Sequence, residues 1–393
     1  MHKLFFLNMI EVILICIFAS ALFFSNQFMG SKKGLEAIQI HHLHGLLLYH
    51  LGFSYFFYRY VIAYGGDAIV YWHLNGPLAN PNATGWWDYF GVGYPFMYWL
   101  NYVPSRFFGW DMLSGFFLYA MLSFLGFRWL FIRLIREFEG EKVFWGIPWP
   151  VYFLYLPNLH FWTAGIGKEA VCFFALMLII RGIDQKKWAG GLLGIFLIFM
   201  TRTYLAWLVL ISFGISTILF ANTKKARLRW GIPCILMAIA AFPALLWYVG
   251  MEHFSFDAIQ QIIRQQFAML SGKGVGSSVP MADYSLPMRL FTYWFRPLLV
   301  DAHNTTSFLA SIENAILLVV FIGLSIKSRK SRWKNLPLFL KFGLIIFLTS
   351  SLVYMNILSN LGIMMRMKSL FMLFPLLAGA WMVKEEERTK SKE

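Results

Sequence analysis

At 393 residues, with 59% hydrophobic and only 13% charged side chains and a mean hydropathy of +0.60, the chain falls outside the ordinary soluble class, where charged residues run near a quarter. The net charge of +15 is carried largely by short clusters between apolar runs. Topology therefore accounts for it, no nucleic-acid partner is expected, and the composition reads as an all-α polytopic protein whose first partner is the lipid bilayer.

In chain order, apolar runs measured against the roughly 20 residues a helix needs to cross a bilayer give spans near 4–26, 44–64, 112–134, 143–156, 169–183 and 188–200. Further spans follow near 204–221, 231–249, 307–326, 336–355 and 367–383, making about eleven. The first run is longer than the apolar core of a signal peptide and holds Glu11, so an uncleaved span is expected. Lys224, Lys225, Arg227 and Arg229, and then Lys327, Arg329, Lys330, Arg332 and Lys334, mark the cytoplasmic face by the positive-inside bias. The reading is one transmembrane domain over 1–383, with external loops at 65–111 and 251–306, and a charged cytoplasmic tail at 384–393.

The loops have their own signals. A hairpin or short helix lying on the bilayer is expected at 94–108. In the second loop Ile259, Ile262, Ile263 and Phe267 recur at helical spacing opposite Gln260, Gln261, Arg264 and Gln265, which predicts an amphipathic helix. The glycine and serine stretch 271–278 reads as a lid or linker, since its GKGVGSS does not meet the P-loop pattern. Cys16, Cys172 and Cys234 stand singly in apolar runs, without the spacing of a metal or disulfide framework.

Several polar residues fall on the external side. Asp67 follows a span across Gly65-Gly66, where a carboxylate held at the interface suits proton abstraction from a hydroxyl; a helix cap or turn is the plainer reading. Asp88 sits in Trp86-Trp87-Asp88-Tyr89, among aromatics on which sugar rings stack, or is a surface residue between anchors. Lys168 follows Gly165-Ile166-Gly167, a helix start with free N–H groups suited to phosphate, or a lysine snorkelling to the interface. His160, one short loop earlier, is by itself an ordinary interfacial histidine, or else is placed to meet a phosphate or carboxylate. Arg202 is either a buried cation with a partner or an exposed loop residue, and any one of Arg202, Arg296 and Arg366 alone is open to reading as an interface marker. With Lys168 they form a set of external cations otherwise disfavoured on that face, and arginine offers phosphate bidentate contacts. Asp301, His303 and Lys368 join this external set, and Glu313 is expected to pair with an arginine or to snorkel. The cluster His41, His42 and His44 is assigned to the cytoplasmic interface without a metal.

Gly65-Gly66-Asp67-Ala68 with Tyr71, Asn158-Leu159-His160-Phe161-Trp162 leading to Gly167-Lys168-Glu169, Phe295-Arg296-Pro297, and Asn360-Leu361-Gly362 with Arg366 together resemble bacterial envelope-polysaccharide membrane proteins. These are the GT-C-type glycosyltransferases and the O-antigen or capsule polymerases. The resemblance implies a GT-C-like fold in the bacterial inner membrane, a site facing the periplasm, a polyprenyl-(di)phosphate-linked sugar donor and a saccharide acceptor. It further implies Asp67 as general base, Lys168, Arg202, Arg296 and Arg366 on the donor phosphate, and Asp88, His160, Tyr71, Asp301, His303, Glu313 and Lys368 in support. A divalent metal is compatible but not demanded, because the cations can neutralise the leaving group. Partner proteins of polysaccharide assembly fit the same setting. A flippase for a lipid-linked saccharide, or a non-catalytic assembly subunit, remains the alternative.

Overall fold

The computed structural model describes residues 9–221, 223–248, 255–270, 277–329 and 333–390. These are nearly all α-helical and fall into two compact units, Met1–Thr203 and Tyr204–Glu393. Among the described residues five helices are long and apolar enough to cross a membrane, or up to seven if each of two bent helix pairs forms one span.

The N-terminal unit opens with α1 (Met9–Lys32) and α2 (Ala37–Tyr64). Gly65 and Gly66 then take φ of +79° and +145°, a region glycine enters without penalty, and deliver the chain into α3 (Asp67–His73). The helix expected within 94–108 is α4 (Tyr94–Tyr102), continued by a π turn (Val103–Phe107). After it come α5 (Met112–Glu137), a hairpin of β1 (Val143–Phe144) and β2 (Ile147–Pro148), α6 (Pro157–Thr163), α7 (Lys168–Gln185) and α8 (Trp188–Thr201). α2 has the length of a span but is not among the apolar five, for His41, His42, His44, His50 and Arg59 dilute it.

The span expected over 143–156 is corrected. Pro148 and Pro150 remove backbone donors and Gly146 turns the chain at φ +87°, so an apolar run becomes a hairpin and a 3₁₀ turn (Trp149–Tyr155). This irregular backbone and α6 run beside α2. The Tyr155 hydroxyl donates to the His42 carbonyl at 3.0 Å, His160 meets His50, and Phe161 packs on Phe57 with ring centroids 4.7 Å apart. Non-helical backbone at such depth is tolerated where protein encloses it. The chain then bends by 108° into α7.

Small residues let α7 and α8 approach closely: a Cβ on Gly194 would lie 2.5 Å from the Ala175 carbonyl oxygen. The C-terminal ends of α1, α5 and α7 share one basic end. There Arg133 donates to both carboxylate oxygens of Asp184 and to Glu137, Arg136 Nη2 donates to the Lys33 carbonyl, and Lys186 and Lys187 follow α7.

The C-terminal unit contains α9 (Thr203–Phe220), the short α10 (Lys224–Ala226), a π turn (Arg227–Gly231) and α11 (Ile232–Tyr248). The expected amphipathic helix is α12 (Phe256–Leu270), with Phe267 buried; the Ile259 side chain lies outside the described residues. α13 (Leu286–Phe295), α14 (Thr305–Lys327), α15 (Leu338–Tyr354) and α16 (Leu361–Ser369) precede α17 (Leu373–Lys390), bent 52° from α16. Residues 271–276 of the expected lid, with Lys330 and Arg332 of the basic cluster, lie outside the described residues. Ser277 and Ser278 dock on the turn before α16: Ser278 forms an antiparallel bridge with Asn360, and the Leu361 N–H donates to the Ser277 carbonyl at 2.9 Å. The charged tail continues α17 as helix to Lys390, with Lys384 buried.

Candidate functional site

Asp67 is the first residue of α3 and is half-buried. The Tyr94 hydroxyl, from the start of α4, donates to its Oδ1 at 3.4 Å, and the Lys168 ammonium stands 4.4 Å from the centre of the Tyr94 ring. A carboxylate, a hydroxyl and a cation thus meet around one aromatic ring, each carried by the first residue of a helix. Tyr71, 1% exposed, backs this group with its ring 5.2 Å from that of Tyr94. The Tyr98 hydroxyl donates to the Pro77 carbonyl at 2.7 Å, and burial pushes its pKa up to about 12, so it stays a neutral donor.

Arg202 closes α8 and lies at the same end, since the Gly93 N–H beside Tyr94 donates to the Met200 carbonyl at 2.7 Å. Its guanidinium is ion-paired with the buried Glu169, the residue after Lys168. Arg202 is therefore a cation already neutralised within the fold. Asp88 is exposed and serves its own turn: its Oδ2 accepts the N–H groups of Thr84 and Gly85, each at 2.8 Å, and these bonds, that of Gly85 foremost, hold its carboxyl below the usual range.

The structure assigns His160 to the core of the N-terminal unit, away from the Asp67 group. It is fully buried, stacked on Phe127, and bonded to His50 and to the Leu154 carbonyl, so phosphate does not reach it here. His41, His42 and His44 each meet a backbone carbonyl, those of Ala37, Trp145 and Phe23. Among the described residues no three His, Cys, Asp or Glu side chains are grouped to hold a metal ion.

In the C-terminal unit Arg296 forms a fork on Asp301, with Nε to Oδ2 at 3.0 Å and Nη2 to Oδ1 at 2.5 Å, and donates from Nη1 to the Tyr284 hydroxyl at 3.1 Å. The Arg296 bond, followed by that of the Leu298 N–H, holds the Asp301 carboxyl below the usual carboxylate range. Lys368 is 1% exposed, and its three donors go to the Trp294 carbonyl at 2.9 Å, the Arg296 carbonyl at 3.1 Å and Asn314 Oδ1 at 2.9 Å. An ammonium has three donors, so Lys368 is a structural clasp on the turn after α13. His303 is exposed and bonds Ser277 Oγ at 3.2 Å. Glu313 and Arg366 are half-buried, on α14 and α16.

Sequence reading missed Tyr94, the ring shared by Asp67 and Lys168, and Asn314, the partner of Lys368. It saw Glu169 only as the start of a span. An acid in the first turn of one apolar helix and a cation at the end of the next was the available signal for the Glu169–Arg202 pair. No protein-family model matches the chain, and neither characterised proteins nor solved structures give a significant match.

Proposed function

We propose that the chain is a multi-pass, GT-C-like membrane glycosyltransferase or polysaccharide polymerase acting on a polyprenyl-(di)phosphate-linked sugar at the outer face of a bacterial inner membrane. The observation that carries this reading is the Asp67–Tyr94–Lys168 group, which offers a carboxylate base beside a cation for a leaving phosphate. About eleven crossings follow if, beside the five apolar helices, α7 and α17 cross on their own and α2, α8, α15 and the irregular segment 149–163 each cross.

In this mechanism Asp67 accepts the proton of the acceptor hydroxyl as its oxygen bonds to the anomeric carbon. The bond from that carbon to the donor phosphate breaks, and Lys168 stabilises the departing charge. Attack opposite the leaving group inverts the anomeric centre. Tyr94 holds the carboxylate toward the acceptor and keeps the cation close. Arg202, already paired with Glu169, fixes the helix start that carries Lys168.

The test is mass spectrometry of lipid-linked and surface glycans from cells carrying the native chain or Asp67→Asn. Loss of product with precursor accumulating on the outer leaflet supports transfer through Asp67. Unchanged glycan removes Asp67 as base, and precursor held on the inner leaflet shifts the function to transport.

A further inference from the structure

His50 of α2, Ser123 of α5 and His160 of α6, each fully buried, form a hydrogen-bonded chain closed at both ends by carbonyl groups. Ser123 Oγ lies 2.8 Å from the Thr163 carbonyl oxygen and 3.1 Å from that of Ala120. His50 Nε2 is 2.8 Å from Ser123 Oγ, the two Nδ1 atoms face one another at 2.8 Å, and His160 Nε2 is 2.6 Å from the Leu154 carbonyl oxygen.

Carbonyls only accept, so the four links from Thr163 to Leu154 need four hydrogens. One hydroxyl and two neutral imidazoles supply three. If Ser123 donates to Thr163, the hydrogens run toward Ser123 and His160 Nε2 faces the Leu154 oxygen bare. If Ser123 donates to His50, the order reverses and its own oxygen faces the Thr163 carbonyl without a hydrogen. One added proton makes one imidazole a donor at both nitrogens and completes all four links.

We propose that this chain is a binding site for a single proton shared by His50 and His160. The proton fastens the irregular segment 149–163 to α2 and α5, and that segment leads through Gly165 and Gly167 to Lys168. The titratable group facing the pair is Tyr49 of α2, its ring 4.8 Å from His160, with Tyr155 packed beyond it. The Tyr49 hydroxyl is given to the Tyr155 carbonyl and the Thr163 hydroxyl to that of Leu159, while Phe53, Phe124 and Phe127 supply the remaining walls. Among the described residues no acidic or basic side chain other than the partner ring is hydrogen-bonded to either histidine.

The experiment is a pH titration of the full chain, labelled with ¹⁵N-histidine and held in lipid bilayers, followed by nuclear magnetic resonance, with His160→Asn to assign the pair. One proton taken up by the two rings together is expected. Ser123→Ala removes the serine link, so two neutral imidazoles satisfy the two links left, and proton binding is expected to weaken by about tenfold. Independent titration of the two rings, two rings neutral at every pH at which the chain stays folded, or an unchanged titration in Ser123→Ala overturns the proposal.

Discussion

Arg202 is ion-paired with Glu169, a carboxylate only 2% exposed. The cation that ends α8 thereby holds the first turn of α7, where Lys168 stands. Removing one member of a buried pair strands the other, at about 3–5 kcal/mol. Arg202→Ala should therefore lower stability markedly in a denaturation series on the detergent-solubilised chain. The double variant Glu169→Gln/Arg202→Ala should lose less than the sum of the single losses. Strict additivity would mean that the two side chains are not coupled.

Lys368 carries a second expectation of the same kind. Its ammonium holds the Trp294 and Arg296 carbonyls and Asn314, so Lys368→Met leaves three acceptors short of a donor in a closed space. Each unmet buried acceptor costs about 1–3 kcal/mol, and the loss should appear as a lower thermal midpoint. A folded, stable Lys368→Met that fails only in function would instead assign Lys368 to a ligand.

The sequence makes long apolar helices such as α5, α7 and α14 legible because their runs are both apolar and free of proline. Segment 143–156 is equally apolar, but hydropathy does not register the donors that Pro148 and Pro150 remove, so the crossing appears as a helix that does not form. Asp67 and Lys168 are legible for one shared reason: each is a charged residue that starts a helix directly after glycine. Tyr94 is not, since in a chain with 18 Tyr and 41 Phe one aromatic residue carries no distinguishing mark. The partner of His160 lies 110 residues away, a separation no local pattern encodes. Lys368 stands out as a cation near an apolar span, yet that signal is the same for a structural clasp and for a ligand site.

The Arg296–Asp301 fork sets a pH dependence. Asp301 is held below the usual carboxylate range, chiefly by Arg296, so its contribution is fully present above the unfolded value of about 3.9. It is lost as pH falls through the lower folded value. Native chain and Asp301→Asn should therefore differ in stability by a constant amount near neutrality, and the difference should shrink only below about pH 4. A difference that shrinks instead between neutral pH and about pH 5 would place the titration on another group.

Asp67 and Tyr94 separate the proposed chemistry from simple placement. A positioned base contributes about 10²–10⁴-fold to a proton-transfer step, so Asp67→Asn should reduce glycosyl transfer by that order while leaving donor binding nearly intact. Tyr94→Phe keeps the ring against Lys168 and removes only the hydroxyl that donates to Asp67. Its loss should be smaller, about tenfold, the worth of one hydrogen bond to a charged group. Tyr94→Ala removes the ring as well and should weaken binding of the donor lipid in addition to slowing transfer. Both quantities can be read with a synthetic polyprenyl-phosphate sugar and the purified chain in bilayers. Equal losses in Tyr94→Phe and Asp67→Asn would assign the carboxylate to holding the tyrosine rather than to accepting a proton.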